Sequence, residues 1–113
     1  MNLVTEMVQS ISQLVGESEW SGDKPFTINM VDKQRREDYI YELRKGVDFV
    51  KISEITTNNP AFKRYFLLRK NNGEWEYVDP FMEKYWESSF DMLRNAYGRL
   101  ILALQTTKQT EKK

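Results

Sequence analysis

FKRYFLLRKNNGEWEYV, residues 62–78, is the stretch whose reading decides the fold. Two apolar runs flank Asn72-Gly73. That dipeptide is the strongest short hairpin signal, because both of its residues accept the positive φ of a tight turn that follows the twist of the strands. A loop centred there sets Leu68 opposite Tyr77, Leu67 opposite Val78 and Arg69 opposite Glu76. Alternation then gathers Phe66, Leu68, Trp75 and Tyr77 on one face, and Tyr65 and Leu67 on the other. The stretch is therefore an antiparallel hairpin that ends at residue 78.

On the C-terminal side the period changes. Asp79 suits a helix N-cap and Pro80 the first helical position. Met82, Trp86, Ser89/Phe90, Leu93, Tyr97, Leu100/Ile101 and Leu104 recur at three- and four-residue steps. This predicts one long amphipathic helix over 79–105, with Lys84, Glu87, Arg94 and Arg99 on its polar side. Gly98 interrupts it at about 1 kcal/mol relative to Ala, which close packing or a slight kink would explain.

On the N-terminal side, 56–60 (TTNNP) is a break. Tyr39–Arg44 and Val47–Thr56 read as a second hairpin joined at Lys45-Gly46. That loop would set Tyr41 opposite Val50, Tyr39 opposite Ile52 and Leu43 opposite Asp48, with the apolar residues on one face. Phe26, Ile28 and Met30 alternate with Thr27, Asn29 and Val31, which predicts a further strand. Residues 32–38 (DKQRRED) form a charged connection. Trp20 lies in a polar loop, 16–25, and is expected to fold back, because a large ring gains much by burial. Leu3, Met7, Ile11 and Leu14, flanked by Val4, Val8 and Val15, predict a first helix over 2–15, stopped by Gly16.

Together these elements predict a two-layer α+β domain: an N-terminal helix, a five-stranded antiparallel meander sheet and a long C-terminal amphipathic helix. The expected domain is 1–107, with 108–113 a polar tail. Six Phe, six Tyr and three Trp in 113 residues can fill a core.

Composition narrows the chemistry. There is no histidine and no cysteine. Ser–His and Cys–His nucleophilic catalysis is excluded, and the commonest transition-metal ligands are missing. The five glycines are scattered, so no phosphate-cradling loop exists. Paired carboxylates, Glu42 with Glu54 or Glu74 and Glu76 with Asp79, are the remaining acid–base candidates. No spacing among them matches a known cation loop. The expectation is a non-enzymatic chain with no cofactor, no metal and no membrane span, in the cytoplasm.

Formal net charge is zero but unevenly spread. Residues 1–32 balance at −4, 33–70 at +5, 71–107 at −3 and 108–113 at +2. The basic middle strands carry Arg44, Lys45, Lys51, Lys63, Arg64, Arg69 and Lys70 among Tyr39, Tyr41, Phe49, Tyr65 and Phe66. Two helices can cover only one face of a five-stranded sheet. The face left open is expected to bind a protein partner or a second copy of the chain. The residues assigned to that role are Ile40, Phe49, Lys51, Lys63, Arg64, Tyr65, Leu67 and Arg69. The second expectation for the same strands is single-stranded nucleic acid, with rings for bases and cations for phosphates. In element order the chain is similar to secretion-chaperone-like folds, which dimerise to hold an unfolded client. It also resembles single-strand-binding folds with a sheet followed by one long helix. Order alone carries both likenesses, so neither implies site residues.

Overall fold

The computed structural model describes residues 2–34, 36–78 and 86–111. Its elements are α1 (Leu3–Val15), α2 (Glu17–Trp20), β1 (Phe26–Asp32), β2 (Glu37–Lys45), β3 (Phe49–Thr56), β4 (Asn59–Asn71), β5 (Glu74–Val78) and α3 (Trp86–Glu111). The strands lie in chain order, each antiparallel to the next. The α+β class and the meander are as the sequence implies.

The β4–β5 hairpin has the expected register: Leu68 faces Tyr77, Leu67 faces Val78 and Arg69 faces Glu76. Asn72 (φ 53°) and Gly73 (φ 80°) supply the two positive dihedrals. The β2–β3 hairpin differs. Tyr39 pairs with Thr56, Tyr41 with Glu54 and Leu43 with Ile52, so the turn is centred on Val47-Asp48. Gly46 donates its N–H to the Phe49 carbonyl at 2.8 Å. A β-carbon built on Gly46 would collide with the Phe49 ring. The glycine therefore serves close approach of a cross-strand ring, not a positive φ in the loop. The register moved by an even number of residues, so every side chain kept its face. The expected break near 57 is a tight connection with Thr56 paired to Asn59. A register shift between Ile55 and Thr56 takes up the extra length of β4.

Asn2 caps α1 by accepting the Thr5 N–H at 2.8 Å. Gly16, at φ 80°, ends the helix with its N–H on the Ser12 carbonyl. Val4, Met7, Val8, Ile11 and Val15 are buried. The buried stripe is rotated from the one expected, since Leu3 is 47% exposed and Leu14 only partly buried. Trp20 does fold back and is fully buried.

One core joins these helices to Tyr39, Tyr41, Leu43, Val50, Ile52, Phe66, Leu68 and Trp75 of the sheet. From α3 it takes Leu93, Ala96, Leu100, Ala103 and Leu104. Each large side chain here contributes about 1.5–3 kcal/mol by leaving water. Gly98 has no neighbour within 4 Å of where a β-carbon would sit, so close packing is not its reason. α3 continues to Glu111, past the end expected near 105. Asp79, Pro80 and Met82 lie outside the described residues, as do the side chains of Phe62 and Trp86.

Candidate functional site

Every described helix lies on the face of the sheet that carries Tyr41, Leu43, Ile52 and Phe66. The alternate residues make the second face, which no described element covers. The strand registers assemble it into rows. One row runs Arg44, Lys51, Leu67, Val78. The next runs Thr27, Glu42, Ser53, Tyr65, and the third Asn29, Ile40, Ile55, Lys63. Ile40, Ile55, Leu67 and Val78 are half-buried and form an apolar floor.

Tyr65 stands at the centre, 48% exposed. The Lys51 and Lys63 ammonium groups sit 4.7 Å and 5.5 Å from its ring centroid, where the ring quadrupole attracts a cation. Directly across from it, Ser53 is buried. Lys63 also pairs with Glu42 at 2.8 Å, and this bond holds its pKa above the ordinary lysine value. Arg44 lies directly opposite Lys51, with Arg69 on the diagonal. No carboxylate among the described residues forms an ion pair with these three. Like charges facing across a ladder repel, so this end of the face favours an incoming anion.

Of the residues assigned from sequence, Ile40, Phe49, Lys51, Lys63, Tyr65, Leu67 and Arg69 share the open face. Phe49 spends its ring on Gly46. Arg64 stands on the other face, with Nη1 3.3 Å from Glu54 Oε1. Lys45 is likewise turned away, pairing with Glu17 of α2 at 2.8 Å, and Lys70 covers the Trp75 ring. Tyr39, Tyr41 and Phe66 are core residues.

Sequence reading missed a buried polar network under α3. Glu54 is 1% exposed, by side chain. Its Oε2 accepts from Arg99 Nη2 at 2.7 Å, Arg99 Nε at 3.1 Å and the Tyr41 hydroxyl at 2.8 Å. Tyr41 in turn accepts from Arg99 Nε at 3.0 Å. The Arg99 guanidinium lies 4.7 Å over the Tyr39 ring. Burial and the adjacent Glu54 carboxylate hold the Tyr41 hydroxyl above the ordinary tyrosine range. Arg99 was expected on the polar side of the helix. The signal was present in β3: Glu54 falls in phase with Val50 and Ile52, so alternation already placed it inward. Glu42 and Glu54 consequently face opposite sides of the sheet and do not converge. Glu74 accepts from the Thr5 hydroxyl, a bond that draws its pKa below the ordinary glutamate value. Among the described residues no group of three His, Cys, Asp or Glu could hold a metal ion, and no helix is long and apolar enough to cross a membrane.

No protein family, curated protein or solved structure matches the chain.

Proposed function

We propose that the chain is a non-enzymatic interaction domain whose open sheet face binds an extended acidic segment of a protein partner. The observation that carries this is Tyr65, half exposed between two lysines on an apolar floor. An extended segment can seat alternate apolar side chains on Ile40, Ile55 and Leu67. Its carboxylates can reach Arg44, Lys51 and Arg69, giving charge complementarity with register. Single-stranded nucleic acid is the second reading, favoured by the same ring and its flanking cations. One feature weighs against it. Successive bases need successive exposed rings, and Tyr65 is the only ring among the described residues that is exposed on this face.

The test is a titration of the full chain with two labelled probes, an array of acidic peptides with alternate apolar residues, and oligothymidylate. The peptides are expected to bind, and Tyr65→Ala or Lys51→Glu to abolish that binding with the fold intact by circular dichroism. Sub-micromolar oligonucleotide binding, with a salt slope that flattens by ~0.7 when Lys51 becomes Ser, would move the nucleic-acid reading to first place.

A further inference from the structure

The two edges of the sheet are treated differently. The hydrogen bonds Gly46 N–H to Phe49 C=O (2.8 Å) and Thr57 N–H to Asp38 C=O (3.0 Å) set the phase of the β2–β3 ladder. Even-numbered residues of β2 therefore bond β3, and odd-numbered ones bond β1. Their partners on β1 are Phe26, Ile28, Met30 and Asp32. Thr27, Asn29 and Val31 are left aiming N–H and C=O away from the sheet.

The same counting turns Trp75 outward on β5, and there α1 closes the edge. The Trp75 N–H donates to Thr5 Oγ1 at 2.9 Å, and the Trp75 carbonyl accepts from Asn2 Nδ2 at 3.0 Å. On β1 no described residue bonds the outward groups of Thr27, Asn29 or Val31. Val31 is 60% exposed. Natural edges are usually blunted by a charge, a proline or a bulge. β1 contains no proline, and its one charged residue is Asp32 at the very end; its ladder with β2 is unbroken.

We infer that this edge pairs with β1 of a second copy, antiparallel about a two-fold axis through Asn29. The strand is self-complementary in that register. Thr27 meets Val31, both good strand formers, and the two Asn29 amides face each other. On the helix side Ile28 meets Met30, apolar against apolar. At the ends Phe26 of one copy faces Asp32 of the other, the one pair in this register that is not matched. All six outward N–H and C=O groups of each strand find partners. The axis stands perpendicular to the sheet, so both helical layers lie on one side. The two open faces become one ten-stranded surface. This pairing uses the edge alone and does not depend on what the open face binds.

The experiment is sedimentation of the full chain at about 100 μM, above the micromolar range that weak interfaces reach. The wild type is expected to run as a dimer of 13.5 kDa protomers. Asn29→Lys places two like charges face to face on the axis, and Asn29→Asp does the same with the opposite sign. Each alone should be monomeric with an unchanged circular dichroism spectrum, and an equimolar mixture of the two should recover the dimer mass. Asn29→Pro removes an N–H that the protomer does not use, and should also give a monomer. A wild type that stays monomeric would overturn the inference. So would a dimer mass insensitive to both charged variants, which would place the contact elsewhere, for instance on the Tyr65 face.

Discussion

Replacing Glu54 by Leu tests whether α3 is held to the sheet by its buried ion pair. Glu54 receives three hydrogen bonds on one oxygen and the Arg64 guanidinium on the other. At the ~4 Å between charge centres of a contacting pair, unit charges attract by about 4 kcal/mol with an effective dielectric near 20. Desolvation of two charges offsets much of that attraction, so the pair itself adds little net stability. Removing one member is different. Glu54→Leu strands Arg99, whose side chain is only 18% exposed, and should cost about 3–5 kcal/mol. Arg99→Met strands the Glu54 carboxylate at the lower end of that range, because Arg64 and Tyr41 still reach it. Additive effects would put the double variant about 6–8 kcal/mol below wild type. Instead, Glu54→Leu with Arg99→Met should lose only about 1–3 kcal/mol, the cost of leaving the Tyr41 hydroxyl without a partner. Adding Tyr41→Phe removes that cost too. Urea denaturation followed by tryptophan fluorescence reads all four, with unchanged m-values confirming a comparable native state. Single variants within about 1 kcal/mol of wild type, or a double variant equal to the sum of the singles, would refute the reasoning.

Gly98→Ala should stabilise the chain by about 0.4–1 kcal/mol, read as a higher thermal midpoint, because the position is helical and open. A drop would reveal a close contact at this face of α3. Tyr41 makes an alkaline prediction. Its folded pKa lies above the unfolded value of about 10, so its stabilising contribution is fully present below pH ~10 and is lost as pH rises beyond it. Above that pH, Tyr41→Phe should decline less steeply in stability than wild type, measured by denaturant midpoints. Parallel slopes would show that Tyr41 ionises as easily folded as unfolded.

Local chemistry alone determined the β4–β5 hairpin, because Asn72-Gly73 accepts dihedrals that few other pairs tolerate, and that fixes the register. It determined the inward faces of β2 and β3 for a related reason. A two-residue period survives any even slip, so the faces were right although the turn was misplaced from Val47-Asp48 to Lys45-Gly46. The fate of Trp20 was legible from the size of its ring. Three things were decided only in the tertiary structure. The β2–β3 register depends on a ring from Phe49 lying where Gly46 has no side chain. Arg99 looks like a solvated helix residue until α3 is laid over Glu54, because a charge can be buried only when a partner from another element meets it. The open face and the two unlike edges likewise follow from where α1 and α3 dock. The alternation in β4, apolar on both faces, cannot say which face the helices will take. Helix placement leaves Tyr65 exposed between its lysines and sets Asn2 and Thr5 against β5, while no described residue bonds the outer edge of β1.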